Sequence, residues 1–382
     1  MKKEISIDCH AFEHGGNIYY LANALNMQER KIIDFSSSVN PLGVSKKVKA
    51  EIRKNLKYLH NYPDTETDRL RKRIAQYYGI SFENILCGNG STELIYLIVK
   101  VLKPQRVLIM APTFSEYERA VTITESQERR AEIEFYFLKE EKRFEIEPEE
   151  FIAEMERREG KIDMVFLCNP NNPTGKLISK DDVIKIADAA RENRCYLIVD
   201  EAFIDFIPDN SIISETISNP YLIVLRSMSF FYALPGLRIG YGIFPSGLIG
   251  SLKRAKQPWT VNSLAQRAAV ISLKDKVYMK ETLRLIKDEK KFFEKNFKKL
   301  KIEYFESDAN FYLLRFKNAP EIYKRLLKKG ILLRDCSNFR GLDSTYLRVA
   351  VKNHRENTIL IKEIAKILCP ELQSGNNMNN LP

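Results

Sequence analysis

Several short stretches carry residues whose types and spacing could do chemistry together. Gly88-Asn-Gly-Ser-Thr-Glu93 follows a strand-like run and opens the apolar helix Leu94–Leu102. Glycines let the backbone approach an anion, and a helix start offers unpaired N–H groups and a favourable dipole. A phosphate suits that turn; an ordinary Gly-rich turn with a capping residue is the competing reading. Asn169-Pro-Asn-Asn-Pro-Thr-Gly175 turns the chain after the apolar run Met164–Cys168. Asp200 stands at the end of Tyr196-Leu-Ile-Val, where a carboxylate could equally cap a helix or face water. Arg226-Ser-Met-Ser-Phe-Phe-Tyr-Ala-Leu-Pro-Gly-Leu-Arg238-Ile-Gly-Tyr241 follows the apolar run Tyr221–Leu225. Arg348 lies inside Tyr346-Leu-Arg-Val-Ala-Val351, and an arginine so flanked more often meets an anion than solvent.

The elements that must position these residues read as alternating strands and helices. Short apolar runs at Asn84–Cys87, Arg106–Met110, Met164–Cys168, Tyr196–Val199, Tyr221–Leu225 and Ile239–Ile243 are separated by helical segments. That alternation argues for a mostly parallel sheet covered on both faces. Val44–Leu56 reads as a helix with Ser45 as N-cap, and a second helix spans about Glu66–Tyr78. The acidic stretch from Glu140 to Glu156 reads as a solvated loop and helix. Further on, helices at about Val261–Leu273 and Met279–Leu300 lead to strands at Phe311–Arg315, Ile331–Arg334 and Tyr346–Val351. The division expected is an N-terminal arm, 1–45, joining the small domain; a large domain, 46–268; a small α+β domain, 269–368; and a disordered polar tail, 369–382.

Composition excludes some classes. Of the 382 residues, 44% are hydrophobic and 29% charged, as in a globular chain, and no apolar run approaches the ~20 residues of a membrane span. The N-terminus has no signal-peptide core, so a cytoplasmic protein is expected. The six cysteines are scattered without a CxxC pair, so they are expected to be reduced, and no metal site is expected. The net charge of +11 is spread along the chain, and no basic-aromatic module indicates a nucleic-acid partner.

The loop from Arg226 to Tyr241 resembles the lysine loop of fold-type I pyridoxal-phosphate (PLP) enzymes, with Ser227 and Arg238 at the family's positions. The family's Schiff-base lysine belongs at position 230, which is Phe230, and no lysine occurs between Lys185 and Lys253. The turn after Cys168 resembles the family's Asn-Pro-Thr-Gly turn, whose asparagine, here Asn172, bonds the pyridoxal 3-oxygen. Asp200 resembles the aspartate that keeps the pyridine nitrogen protonated, so that the ring can act as an electron sink. The resemblance implies an α/β fold: a mostly parallel seven-stranded sheet between helices, plus a small α+β domain. It further implies Gly90, Ser91, Thr92, Ser227 and Arg238 around the cofactor phosphate and Phe114 on the ring. Where many aminotransferases place a tyrosine three residues after the aspartate, this chain has Phe203.

The resemblance narrows to threonine-phosphate decarboxylase, a sister of histidinol-phosphate aminotransferase. It rests on Glu13-His-Gly-Gly-Asn-Ile18, Asp34-Phe-Ser-Ser-Ser-Val-Asn-Pro-Leu-Gly43, Pro112–Arg119, Pro258-Trp-Thr-Val-Asn262 and Gly330–Leu342. That family makes aminopropanol phosphate for the corrinoid side chain. By the resemblance, Arg348 binds the substrate carboxylate, Arg334 and His14 lie near its phosphate, and Ser38, Asn40 and Asn172 belong to the same set. A homodimer is implied, since fold-type I sites are built at a subunit interface. The lysine anchors the cofactor, speeds substrate exchange and moves protons; phenylalanine does none of these. Non-covalent cofactor and very low or no activity are therefore expected. The alternatives are a decarboxylase in which Phe230 is an engineered or wrongly recorded residue or which is slow, a non-catalytic binder of PLP or a phosphoamino acid, a histidinol-phosphate aminotransferase-like transaminase, and a protein-interaction subunit.

Overall fold

The computed structural model describes residues 14–124, 131–156 and 161–369. The first 13 residues of the expected arm and the expected tail beyond 369 lie outside the described residues. The chain begins with α1 (Ile18–Leu25), β1 (Ile33–Asp34), α2 (Lys46–Asn55) and α3 (Asp68–Tyr78). Ser45 caps α2 as expected, its hydroxyl accepting from the Val48 amide at 3.2 Å. The start of α3 is held instead by Asp64, whose carboxylate accepts from the Glu66 and Asp68 amides.

A regular alternation follows: β2 (Ile85–Gly88), α4 (Gly90–Leu102), β3 (Arg106–Ala111), α5 (Glu116–Ile123), β4 (Glu132–Phe137), α6 (Pro148–Met155), β5 (Met164–Cys168), α7 (Lys180–Glu192), β6 (Tyr196–Asp200), β7 (Leu222–Ser227) and β8 (Gly240–Ile243). These strands form one seven-stranded sheet in the order β2-β8-β7-β6-β5-β3-β4. All neighbours are parallel except β8, which runs against both β2 and β7. Every residue of β5 and β7 is buried, which is why they read as unbroken apolar runs. β4 was not expected. Its sequence, Glu-Ile-Glu-Phe-Tyr-Phe, mixes charge with apolar residues because it is an edge strand paired only to β3.

Helices α8 (Ser246–Ala255), α9 (Ser263–Ser272) and the long α10 (Lys276–Lys299) lead to β9 (Glu303–Tyr304), β10 (Phe311–Arg315), α11 (Ala319–Leu327), β11 (Ile331–Leu332), β12 (Arg334–Asp335), β13 (Tyr346–Ala350) and α12 (His354–Leu368). The single strand expected at Ile331–Arg334 is divided at Leu333 between two sheets. β11 pairs in parallel with β1, which ties the N-terminal segment to this part of the chain. β12 joins an antiparallel sheet in the order β12-β13-β10-β9. In that register Arg334 stands directly opposite Arg348. The two sheets meet through the turn after β5, where the Asp308 amide donates to the Gly175 carbonyl at 2.8 Å.

Candidate active site: an arginine-lined cleft without a lysine

A cavity of about 370 Å³ opens at the C-terminal ends of the parallel strands, where ligands of open α/β sheets bind. One end is built for an anion. The helix α4 starts at Gly90, four residues before the expected Leu94, and Gly90, Ser91 and Thr92 all line the cleft. The Asn89 amide is taken by Glu93 Oε2 at 2.5 Å, while the first-turn amides of α4 have no partner within the helix. Arg238 packs over this turn. A Cβ added to Gly90, whose φ is +77°, would lie 2.3 Å from Arg238 Nη2. Arg238 itself is held in the left-handed region at φ 54°, a conformation concentrated at functional sites. Its guanidinium reaches only the Pro235 carbonyl, at 3.5 Å, and no carboxylate pairs with it among the described residues. Buried Ser227, at the end of β7, lines the same region.

The middle of the cleft holds a carboxyl group. Asp200 is buried at the end of β6; its Oδ2 accepts from the Tyr117 hydroxyl at 2.8 Å and its Oδ1 from the Ala202 amide at 3.1 Å. Burial pushes this carboxyl up to about 6, against the pull of those two hydrogen bonds. The Tyr117 phenol is raised well above its ordinary value by burial and then by the Asp200 charge, so it remains a donor. Tyr117 stacks on Phe166 at 4.9 Å and carries Phe114 edge-on at 5.6 Å, which sets Phe114 on the cleft wall. Tyr117 lies within the Pro112–Arg119 stretch but is not among the expected site residues. A tyrosine three residues after Phe114 in a buried motif needs a partner for its hydroxyl, and that was the available signal.

The far end collects positive charge. Arg334 and Arg348 are cross-strand neighbours and both are buried. Like charges so opposed are unfavourable, and burial aggravates this. Arg348 donates to Asn172 Oδ1 and, at 2.7 Å, to the Ser36 carbonyl, and its guanidinium lies 5.1 Å from the Phe311 ring centre. Its Nε is buried without a partner, and no carboxylate pairs with it among the described residues. Burial, with Arg334 adding to it, pulls Arg348 down to about 10. Arg334 donates to Asn338 at 2.7 Å and also lines the cleft. His14 meets Glu116 at 3.1 Å. Ser38 Oγ, on the lining, is buried with no partner. An anion bound here would relieve the paired guanidiniums and give these orphaned atoms a partner.

One expected site residue is corrected. Asn40 does not line the cleft; its side-chain amide donates to the Phe231 carbonyl and to Thr282 Oγ1, both at 2.7 Å, and its backbone N–H to the Phe230 carbonyl. It fixes the loop that carries residue 230. Phe230 is on the lining, half-buried, with its ring stacked on Phe203 at 4.3 Å. No lysine lines the cleft among the described residues.

Comparison with known proteins matches residues 30–364 to the family described as aminotransferase class I and II. The chain belongs to that family. It is 35% identical to a threonine-phosphate decarboxylase of Salmonella typhimurium over 359 residues, 93% of this chain and 96% of the relative. The crystal structure of an L-threonine-O-3-phosphate decarboxylase from Porphyromonas gingivalis superposes with a TM-score of 0.75 at 28% identity, covering 87% of this chain and 98% of that one. A histidinol-phosphate aminotransferase from Sinorhizobium meliloti, solved in complex with pyridoxal-5'-phosphate, shares the fold with a TM-score of 0.82 at 20% identity, over 94% of this chain and 95% of that one. PLP is the cofactor of this aminotransferase family, and the donor set of the cleft fits it. The Gly90 cradle and Arg238 suit a phosphate ester, buried Asp200 a cationic ring nitrogen, and Phe114 a ring face.

Proposed function

We propose that this chain keeps the ligand-binding half of a threonine-phosphate decarboxylase and lacks its covalent half. In this reading PLP is held non-covalently: its phosphate by Gly90, Ser91, Thr92, Ser227 and Arg238, its ring nitrogen by Asp200, its 3-oxygen by Asn172 and its face by Phe114. A phosphorylated amino acid of the threonine phosphate class is held by Arg348 at its carboxylate and by Arg334, His14 and Ser38 at its phosphate. The bound cofactor would supply an electron sink for charge left at the substrate Cα. The protein's own contribution is to bind both anions and to protonate the ring through Asp200. No side chain at residue 230 can accept or return a proton, so turnover is slow or absent. We place it in the cytoplasm as a homodimer. The observation that carries the reading is the pair of opposed, buried arginines facing a cleft whose lining, among the described residues, has no lysine.

The test is a matched pair of proteins mixed with PLP and L-threonine O-phosphate. The unsubstituted chain should bind both by calorimetry, release no carbon dioxide beyond the cofactor alone in buffer, and carry no cofactor on the 226–241 loop after borohydride treatment. F230K should become labelled at position 230 by the same treatment. Carbon dioxide release by the unsubstituted chain at ordinary enzyme rates, ~1–10³ per second, would overturn the proposal.

A further inference from the structure

Between β12 and β13 the chain leaves the antiparallel sheet in a loop, residues 336–345, whose middle reaches the edge of the seven-stranded sheet. The first half of the loop serves Arg334. Asn338 Oδ1 accepts from Arg334 Nη2 at 2.7 Å, and the Arg334 guanidinium lies 5.1 Å from the centre of the Phe339 ring. Phe339 is buried and stands on the lining of the cleft. It also lines a second cavity, of about 350 Å³, which Glu118, Phe135 and Arg340 share. Its side chain is thus part of the wall between the two.

The second half of the loop is fastened. Arg340 donates through Nε to Glu118 Oε2 at 3.3 Å and through Nη2 to Glu118 Oε1 at 2.5 Å, the fork geometry that arginine has and lysine lacks. Its guanidinium also lies over the Phe135 ring at 4.2 Å. Gly341, at φ +87°, brings the backbone close to Phe137; a Cβ there would lie 3.2 Å from Phe137 Cδ1. Glu118 is on α5 and both phenylalanines are on β4, so all three contacts tie the loop to the other sheet and its covering helix. The two halves move as one piece. The Phe339 amide donates to the Cys336 carbonyl and the Leu342 amide to the Phe339 carbonyl, both at 3.0 Å, which makes the chain between them a pair of tight turns.

We infer that Arg340 is a positioning residue for the substrate phosphate: by gripping Glu118 it holds these turns against α5 and so fixes Asn338 and Phe339 around Arg334. The inference rests on the proposed assignment of Arg334 to that phosphate. Arg340 is not on the cleft lining, so it acts only through its neighbours. Arg334 needs the support because it stands opposite Arg348, and a long cationic side chain turns away from a like charge unless it is held. An amide oxygen and a ring face both attract the guanidinium without cancelling its charge, which stays available to an anion. The Arg340–Glu118 pair is itself half-exposed. Exposed contacts of these kinds are individually weak, and together they set the expected effect at roughly three- to thirtyfold.

The experiment titrates L-threonine O-phosphate calorimetrically into the PLP-loaded full chain and its variants, with PLP titrated separately into each. R340A and E118A should each weaken the phosphoamino acid by roughly three- to thirtyfold and leave PLP affinity unchanged. R340K, which keeps the charge but not the fork, should fall between R340A and the unsubstituted chain. In an R334A background R340A should have no further effect, because nothing is left for it to position. A residue that merely stabilises the fold would instead act by the same factor in both backgrounds. That outcome, equal weakening of PLP, or no weakening at all overturns the inference and leaves the reading of the cleft standing. If R334A alone leaves the phosphoamino acid affinity unchanged, or the unsubstituted chain binds none, the assignment of Arg334 fails and the inference with it.

Discussion

Asp200 ionises in the folded chain near pH 6, against about 4 when unfolded, because burial penalises its charge. Between those values the native state binds more protons than the unfolded one, so stability falls as pH rises through the window. The contribution is fully present below about pH 4 and gone above about pH 6; two units correspond to roughly 3 kcal/mol. D200N removes the titration. Relative to the unsubstituted protein, its unfolding free energy from urea titration should therefore improve from pH 4 to pH 7 by an amount approaching that figure, while its affinity for PLP drops. A stability difference that does not change with pH would show that Asp200 does not titrate in this window. The arginines behave oppositely, because each gains by having an anion. R348A or R334A should weaken binding of a phosphoamino acid by about 2–5 kcal/mol, read by calorimetry, and unchanged affinity in both would remove them from the site. At this scale the cleft-lining places of Arg238, Ser227, Asn172 and Phe114 were legible because each sits at a fixed distance along a loop from a recognisable turn. Asn40 was misread because nothing in a local pattern tells which way an amide side chain turns. Its partner Thr282 is 242 residues away.

At the scale of elements, the strands read correctly are those buried on both faces, whose sequence is a plain apolar run. The edge strand β4 was missed because none of its residues is fully buried, so neither an apolar run nor a clean alternation marks it. The division into β11 and β12 was missed because two-residue strands leave no periodicity to read. The opposed arginines arise from that division: Leu333 carries the chain from one sheet to another, and Arg334 lands beside Arg348. The start of α4 is the element on which the anion end depends. Gly90 needs both its left-handed φ and the absence of a side chain, since a Cβ would overlap the Arg238 guanidinium. G90A should lower stability by about 1–2 kcal/mol through its backbone conformation alone. It should also weaken PLP binding by displacing Arg238. Thermal melts with and without PLP separate the two effects, and a variant with unchanged ligand affinity would show that Arg238 does not need this approach.

The whole molecule leaves an aromatic and apolar patch uncovered on its surface. Tyr62 is 81% exposed, with its ring 5.0 Å from that of Trp259, and Tyr58 and Leu59 are also open to solvent. The 58–62 segment lies between α2 and α3, and Trp259 lies between α8 and α9, so both sides of the patch are loops with no cover of their own. Scattered apolar residues on a surface need no explanation, but a contiguous exposed patch built on two rings in tilted contact marks an interaction surface. A second copy of the chain is the occupant we propose, in an isologous interface that buries at least about 1,200 Å² in total. Multi-angle light scattering should give twice the chain mass at micromolar concentration. The double variant Y62D/W259D, which puts charge into that contact, should shift the mass toward the monomer while leaving the far-ultraviolet circular dichroism unchanged. A monomeric unsubstituted protein would overturn the dimer, and a variant that stays dimeric would move the interface away from these loops.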